Sequence, residues 1–320
     1  MSKRALSFLL TIVALGLGAL VYWETRPDSL SPAHNASLQL ATPEPAKAIV
    51  RIGTIGDEPL DEIRKFQPLI DYLNRRLGRE EYEVRGAAAT TVPHMIALLE
   101  RGGIDFYIDS VFPIYQVAAA VDLKILLRRW KKGVAEYHSV IFVKKSSGIT
   151  SLEELRGTMI AFEDRFSSSS YALPKAALLQ SGLVVVPRSE PSVPVATDEV
   201  GYVFSEDDEN SLVWVLTEKV VAGAMNNLAF ETLAGQQRDQ LRIIHQTLPI
   251  PRHVVSYRAG LEPSLVRRVQ ELLLSMHETE EGRETLRAFG KTARFDPVPD
   301  EDALHQSIQQ MIIQLGQLKS

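Results

Sequence analysis

The sequence predicts an α/β protein of two lobes, and three observations indicate this. The chain has 320 residues, of which 45% are hydrophobic. This length exceeds that of a domain with a single hydrophobic core. From residue 48 onward, short apolar runs alternate with segments of helical periodicity. The alternation occurs in two successive series, as expected if the chain crosses between lobes near residues 143–148 and returns near 246–253. A cleft between the lobes is then the expected place for a small ligand.

The first series, with the chain that returns to it, is expected to form one lobe from residues 48–143 and 250–320. Its apolar runs predict strands over residues 48–55, 81–86, 104–108 and 123–129. Helices are expected between them, over residues 61–78, 91–103 and 112–120. Pro68 interrupts the first of these, so a kink or a late start is expected in that helix.

A long strand over 137–145 follows the first series, and the second series predicts the other lobe, residues 144–249. Further strands are expected over 158–162, 201–204, 220–225 and 241–245, with mostly parallel pairing. A returning strand over 252–258 precedes two helices, Pro263–His277 and Glu280–Phe289. A final amphipathic helix follows, with apolar positions 304, 308, 311, 315 and 318. It packs on its own domain or forms a dimer seam.

The amino terminus has the pattern of a segment that enters or crosses a membrane. Lys3 and Arg4 precede residues 5–23, which carry no charge and have about the length that a transmembrane helix needs. The positive-inside rule places the chain after it outside the cytoplasm. Residues 1–25 are therefore expected to be an uncleaved signal anchor, with Tyr22 and Trp23 at the interface, or else a removed signal. Residues 26–47 have the proline-rich composition of a linker.

Composition excludes several classes of function. The net charge of −5 is spread along the chain, so no basic surface favours nucleic acid. Cysteine is absent, which excludes disulfides, thiolate metal sites and cysteine nucleophiles. No two of the seven histidines stand three or four residues apart, as a helical metal site needs. No cofactor or metal is predicted.

Four consecutive serines, residues 167–170, stand between a strand-like run and a helix-like run. A helix start carries free N–H groups and partial positive charge, so it attracts anions, and serine hydroxyls there donate to the same anion. Pro174 fits an early helical position, which places the first turn near residues 169–173. The alternative is that one serine caps the helix and the others fill a loop.

With these residues, the sequence resembles the periplasmic substrate-binding proteins of phosphate, phosphite and phosphonate ABC transporters. In "EDRFSSSSYALP", Ser167, Ser168 and Ser169 match the family's hydroxyl triplet around the anion. "GGIDFYIDSVFPIY" resembles the strand and loop that end in a pocket tyrosine, which in this chain is Tyr115. "KKGVAEYHSVIFVKK" resembles the crossover with a second pocket tyrosine, Tyr137. The resemblance covers roughly residues 48–290.

This resemblance implies a two-lobed, type II periplasmic-binding-protein fold (Venus flytrap) with a double crossover hinge, preceded by the transmembrane or signal helix. It implies closure on a small ligand by hinge motion. The domain is then expected on the periplasmic side of the inner membrane, tethered by the helix, or soluble in the periplasm after signal cleavage.

The chain departs from the family pattern at several positions. Asp109 and Ser110 replace a common Gly-Pro before the first pocket tyrosine, and Asn226 lies near the place of a later family aspartate. "SEDDEN", with Asp207 and Asp208, replaces a turn that a histidine often follows. Such acids stabilise a helix start, or they face the cleft and favour a ligand with an ammonium group, such as an aminoalkyl phosphonate.

The two tyrosines also have two interpretations. Tyr115 and Tyr137 hydrogen-bond an anion or flank a cation, or they are ordinary core tyrosines. With them, the residues expected to bind the ligand are Ser167, Ser168, Ser169, Tyr137, Tyr115, Ser110, Asp109, Asp207, Asp208 and Asn226.

The expected function is therefore capture of a small anionic or zwitterionic solute, such as phosphate or a phosphonate. The protein delivers it to an ABC permease or reports occupancy to a membrane sensor. A second hypothesis is an envelope interaction module whose cleft no longer binds a ligand. An enzyme on the same fold is the third, but the sequence has no P-loop, no HExxH and no Gly-x-Ser-x-Gly. No catalytic residue is predicted.

Overall fold

A computed structural model describes residues 47–78 and 82–316, which fold into two α/β lobes. In these residues the strands are β1 (Ala48–Ile55), β2 (Tyr82–Ala89), β3 (Phe106–Asp109), β4 (Leu123–Arg129), β5 (Glu136–Tyr137), β6 (Ser139–Lys144), β7 (Thr158–Phe162), β8 (Val184–Pro187), β9 (Glu199–Phe204), β10 (Ala222–Asn226), β11 (Leu241–Gln246), β12 (Ile250–Pro251), β13 (His253–Arg258) and β14 (Phe295–Asp296). The α-helices are α1 (Pro59–Leu77), α2 (Val92–Glu100), α3 (Val111–Ala118), α4 (Leu173–Gln180), α5 (Asp208–Leu216), α6 (Asn227–Ala234), α7 (Pro263–Ser275), α8 (Glu280–Ala288) and α9 (Glu301–Gln314).

Each lobe is built on one six-stranded sheet. The first has the order β14-β4-β13-β3-β1-β2, and the second has the order β11-β6-β10-β7-β9-β8. In each sheet only part of the pairing is parallel, so the expectation of mostly parallel sheets holds for only part of each lobe. The strands that leave and re-enter a lobe lie side by side and therefore run in opposite directions, as β4 and β13 do.

The chain crosses between the lobes twice, at a short antiparallel ribbon of β5 and β12. Tyr137 pairs with Ile250 in this ribbon, and Glu136 pairs with Pro251. The second crossing lies where the sequence places it, but the first precedes β6 rather than following it. Because β6 pairs with β10 and β11 in the second sheet, the predicted lobe boundary at 143/144 is wrong. An apolar strand carries no mark of the sheet it joins, which explains the error.

The first helix shows how the sequence builds the core. Helix α1 begins at Pro59 and runs through Pro68 to Leu77, so it does not start late. Its buried side presents Phe66, Leu69 and other apolar side chains to the first lobe. Proline in the first turn of the helix costs little because the N–H groups there have no intrahelical partner.

Helix α9 contacts both lobes. Its apolar residues Leu304, Ile308, Met311 and Ile312 are buried against a core that includes side chains of α3 and α4. Helix α3 belongs to the first lobe and α4 to the second. The part of the predicted apolar stripe that lies within the described residues is therefore covered by the chain itself.

The anchor and almost all of the linker predicted over residues 1–47 lie outside the described residues. Among the residues that are described, no helix has both the length and the apolar character that a membrane span requires.

Candidate ligand-binding cleft

A cleft of about 500 Å³ lies between the lobes, where the carboxyl ends of strands from both sheets face each other. The first lobe contributes residues at the ends of β1, β3 and β4, and the second lobe contributes residues that follow β7 and end β10. Open α/β sheets bind ligands at this edge. The crossing ribbon supplies Tyr137, and Arg252 lies directly after it.

Several helices also begin at the cleft. Ser110 precedes α3, Ser167 caps a π-helical turn (Ser168–Ala172) that continues into α4, and Asn226 caps α6. Helix α5 begins with Asp208, which lines the cleft. Helix starts present N–H groups and partial positive charge, so this convergence favours an anion.

The serine turn, residues 167–169, lines the second lobe's side of the cleft. The hydroxyl of Ser167 accepts from the N–H of Ser170 at 3.0 Å. The hydroxyl of Ser168 accepts from the N–H of Phe112 in the other lobe at 2.9 Å. A serine hydroxyl that accepts one bond keeps its own hydrogen to donate. The turn therefore joins the two lobes. Its hydroxyl hydrogens, which are shared with Tyr137 and Glu163, rotate about the C–O bond and can be donated to a ligand.

Tyr137 connects this turn to the hinge. Its hydroxyl is hydrogen-bonded to Ser169 and Ser168, and burial raises its pKa to about 12. The guanidinium of Arg252 lies over its ring, 5.1 Å from the centroid. Tyr137 therefore stays a neutral donor at physiological pH, placed between hydroxyls on one side and a cation on the other.

The opposite surface, which we call the basic wall, is formed by Arg129, Lys131, Arg252 and His253. Burial lowers the pKa of His253 well below its ordinary value, so the histidine is a neutral member of this wall. Lys131 Nζ lies 3.1 Å from His253 Nε2. Burial lowers the pKa of Arg129 to about 9 and that of Lys131 to about 7, and for Lys131 the charge of Arg129 adds to the effect. No ion pair joins these four residues to a carboxylate in the part of the chain that the structure describes.

Carboxylates line the second lobe's side beyond the serine turn. Asp208 accepts from the hydroxyl of Ser170 at 2.9 Å and from the side-chain amide of Asn226 at 3.4 Å. Burial and the nearby charge of Glu163 raise the pKa of Asp208 to about 7. Burial also raises the pKa of Glu163, while hydrogen bonds with Ser167 and Ser170 act in the opposite direction. The cleft thus has surfaces of opposite charge.

Asp109 lines the cleft, but its oxygens are already engaged. One accepts from the hydroxyl of Thr54 at 2.9 Å and from the N–H of Ile55 at 3.2 Å. The other accepts from the N–H of Ser110 at 2.7 Å. Burial raises the pKa of Asp109 to about 6, and these bonds oppose the rise. This carboxylate therefore holds together the ends of β1 and β3.

Comparison with protein families shows which family the chain belongs to. A family model described as "ABC transporter, phosphonate, periplasmic substrate-binding protein" matches residues 52–303. The chain belongs to this family. Its members are periplasmic solute-binding components of ABC transporters, so the two-lobed periplasmic-binding-protein fold expected from the resemblance is confirmed.

Solved structures with the same fold include members of the phosphonate-binding family. XAC2383 from Xanthomonas citri bound to chloride is 24% identical with a TM-score of 0.76, over 84% of this chain and 97% of that one. The same protein bound to ATP gives 23% and 0.75 over the same shares. PhnD1 from Prochlorococcus marinus with methylphosphonate is 17% identical with a TM-score of 0.63, over 84% and 99%.

The cleft brings together most of the residues expected from the phosphonate-binding family and from the chain's own pattern. Eight of the predicted residues line it: Asp109, Ser110, Tyr137, Ser167, Ser168, Ser169, Asp208 and Asn226. Their ligand contacts stay predictions. The acidic run "SEDDEN" contains one residue for each of its two interpretations. Asp207 caps α5 by accepting from the N–H of Asn210, and the next residue, Asp208, faces the cleft.

Two predicted residues lie elsewhere. Asp207 does not line the cleft, since its carboxylate is used as the α5 cap. Tyr115 is buried beneath α9, with its ring 5.5 Å from that of His305. It stands one turn into α3, and its hydroxyl has no partner among the described residues. The expected place of Tyr115 in the pocket is therefore wrong.

The basic wall is the part that sequence reasoning misses. Its signal is a dense basic run, "RRWKKG" over residues 128–133, which begins in the last two residues of β4, and the short "PRH" at the second crossing. Within the first run, Arg128 is ion-paired with Asp296 and Glu136, whereas Arg129 and Lys131 face the cleft. Only the positions of the two crossings bring these runs together.

Proposed function

We propose that this solute-binding protein captures a small phosphonate-type oxyanion between its lobes and delivers it to an ABC permease. The serine turn is the observation that carries the proposal. Its hydroxyls lie at a helix start, beside Tyr137, at the edge of the cleft where strand ends from both lobes meet. The methylphosphonate complex of PhnD1, which shares the fold, supports this choice of ligand class.

Binding and closure are coupled in this proposal. Ser168 already accepts from the N–H of Phe112 across the lobes, so an anion beside it contacts donors of both halves. A ligand that is held by both lobes binds the closed form more tightly than the open form, and it shifts the population toward closure. The crossing ribbon of β5 and β12 is the hinge about which this motion turns.

A second candidate ligand is a zwitterion such as an aminoalkyl phosphonate. The observation that favours it is the pair of carboxylates Asp208 and Glu163, which face the cleft across from the basic wall. An ammonium group beside them offsets their mutual repulsion, while the phosphonyl group lies at the serine turn.

The membrane tether belongs to the proposal as well. Residues 5–23 have the composition of a membrane segment, and a linker follows them. A tethered binder stays close to its permease or, in the alternative role, to a membrane sensor that reads its occupancy. Retention of the full-length protein in washed membranes, with release when residues 1–25 are deleted, tests the tether.

Ligand-dependent melting tests the function. Phosphate, phosphite, methylphosphonate and 2-aminoethylphosphonate are added to the protein, and one of them is expected to raise Tm by about 5 °C at 100 times its Kd. The double variant Ser167→Ala, Ser169→Ala is expected to lose this rise, because it lacks two hydroxyl donors. The control Ser192→Ala removes a hydroxyl from an exposed loop and is expected to keep it.

The alternatives have their own outcomes. A full panel without any rise in Tm contradicts oxyanion capture and favours an interaction module. Conversion of a panel compound into a product favours an enzyme. A rise that persists in the double variant contradicts the serine turn as the anion site.

A further inference from the structure

We propose that the basic wall is a second anion subsite, so that the solute carries a second anionic group besides the one at the serine turn. This inference rests on the proposed function and narrows its ligand class. The second group is a carboxylate or a second phosphoryl group, and the shared chemistry is negative charge on oxygen.

Arg252 gives the first reason. Its side chain is 5% exposed, it lines the cleft, and its Nη1 has no hydrogen-bond partner in the described residues. Its backbone N–H donates to Ala135, which fixes its place beside the hinge. A buried guanidinium without a partner is costly, and native proteins rarely retain one without a role. An anion in the cleft supplies the missing acceptor.

The neighbours of Arg252 give the second reason. Arg129 is held in place by bonds to Thr292 and to the carbonyl of Phe289, and it lies 3.5 Å from the Phe289 ring centroid. Lys131 contacts His253 and is otherwise surrounded by charges of its own sign from Arg129 and Arg252, with Asp109 as the opposing charge. Desolvated like charges on one surface repel each other, and an anion converts this repulsion into attraction.

The carboxylates of the cleft do not replace such an anion. Asp109 accepts three hydrogen bonds from Thr54, Ile55 and Ser110, and Asp208 accepts from Ser170 and Asn226. Glu163 is hydrogen-bonded to Ser167 and Ser170. The charges of Asp208 and Glu163 act on Arg252, but none of the three carboxylates forms an ion pair with the basic wall within the residues described. The positive charge that faces the cleft is therefore left for a ligand to neutralise.

The two anion sites are separate because Tyr137 stands between them. Its hydroxyl bonds with Ser168 and Ser169, while Arg252 lies over its ring. The guanidinium thus lies over the face of the ring, 5.1 Å from its centroid, while the serine hydroxyls lie at the phenol end. The cleft of about 500 Å³ also lies in the range of pockets for ligands much larger than one tetrahedral ion.

Matched pairs of probes test this inference by titration calorimetry. Methylphosphonate is compared with phosphonoacetate, which adds a carboxylate, and orthophosphate is compared with pyrophosphate. In the wild-type protein at least one doubly anionic probe is expected to bind about 10- to 100-fold more tightly than its partner, the gain of charge-assisted hydrogen bonds. The pair that shows the gain identifies the second group as carboxylate or phosphoryl.

The variant Arg252→Gln is expected to abolish this gain and to leave the affinity for the singly anionic probe within about twofold. Lys131→Gln is expected to reduce the gain in the same direction. The matched control is Lys65→Gln, which removes a cleft cation that is already paired with Glu62 at 2.7 Å, and it is expected to keep the gain. Ligand-free Arg252→Gln is expected to melt no lower than wild type, because it loses an unpaired buried charge.

Several results overturn the inference. Equal affinity for both members of each pair in the wild type removes the second site, and so does an equal loss of affinity for both members in Arg252→Gln. These results leave the proposed function intact, since the single oxyanion still binds. Failure of all four probes to bind the wild type overturns this inference, and it overturns the proposed function as well only when phosphite and 2-aminoethylphosphonate also fail to bind.

Discussion

The two sides of the cleft differ in how their polar groups are satisfied. On the second lobe, the hydroxyls of Ser167, Ser168 and Ser170 bond with backbone N–H groups or with a carboxylate. On the basic wall, Nη1 of Arg252 and Nδ1 of His253 have no partner in the described part of the chain. The hydrogen-bonded serines are held in position by the protein itself, whereas the unsatisfied groups of the basic wall lack a partner until a ligand supplies one.

Asp109 and Arg252 make this difference concrete. Both are ionisable and more than nine-tenths buried, and both line the cleft. Asp109 has three donors around it, so its role is to hold the strand ends in place. In this pair of residues, burial alone therefore does not separate a structural charge from one left for a ligand, whereas the state of its hydrogen bonds does.

The largest expected effect on stability comes from the second lobe's side of the cleft, where the polar groups are hydrogen-bonded within the protein. Ser170→Ala removes the fully buried donor to Asp208 and leaves that carboxylate with one partner fewer. We expect the free energy of unfolding to fall by about 2 kcal/mol, measured by urea denaturation. The control Ser192→Ala, on an exposed loop, is expected to change it by less than about 0.5 kcal/mol. Equal effects of the two variants would break the distinction between the two sides.

A smaller effect is expected in the pH dependence of stability. The pKa of Asp208 is raised from 3.8 to about 7, so between these values the folded protein holds a proton that the unfolded chain has released. Its contribution to the free energy of unfolding therefore falls as pH rises through this window. The pKa of Lys131 is lowered from 10.5 to about 7, so between these values the unfolded chain holds the extra proton. Its contribution rises with pH there.

Variants separate these two contributions. Asp208→Asn is expected to flatten the falling limb below neutral pH, and Lys131→Gln the rising limb above it, each by up to about 1 kcal/mol per pH unit. Thermal or urea unfolding across the pH range measures both. Other charges that act on the two groups are unchanged in these variants: Glu163, Lys132, Arg252, Arg129 and Asp109. Parallel profiles of wild type and both variants would contradict the assignment.

The smallest expected effect concerns a cleft contact that is paired but exposed. Arg165 of the second lobe forms an ion pair with Asp57 of the first lobe at the mouth of the cleft. Exposed pairs contribute little, so Arg165→Gln is expected to weaken methylphosphonate binding by about twofold at low ionic strength. At high ionic strength the difference should vanish through screening. A loss as large as that expected from Arg252→Gln for the doubly anionic probe would contradict the ranking.

Much of the fold can be predicted because strand and helix periods are local properties. Strand β1 has the bounds that its apolar run indicates, and α7 and α8 begin where their prolines and acids indicate. Strand β8 escapes prediction because it is short and at the sheet edge, and the first crossing is misplaced because β5 and β6 look continuous in the sequence. Sheet membership depends on distant partners that one sequence does not display.

The site can be predicted to the extent that its residues follow one another in the chain. The serine turn is found because hydroxyls, a strand end and an early proline stand together. The basic wall is not, since Arg129 and Arg252 are far apart in the sequence and meet only through the hinge. Tyr115 is misassigned because its position on α3 places it beneath α9, a contact that local patterns do not reveal.

Helix α9 has a consequence for the energetics of opening. Its apolar side chains pack on α3 of one lobe and α4 of the other, so the lobes cannot separate without shearing or uncovering that packing. Helix α9 therefore couples the two lobes through its apolar packing and opposes their separation. The free energy of this packing contributes to the free-energy difference between the open and closed forms. It thereby contributes to the apparent affinity for the ligand, although α9 does not contact the cleft.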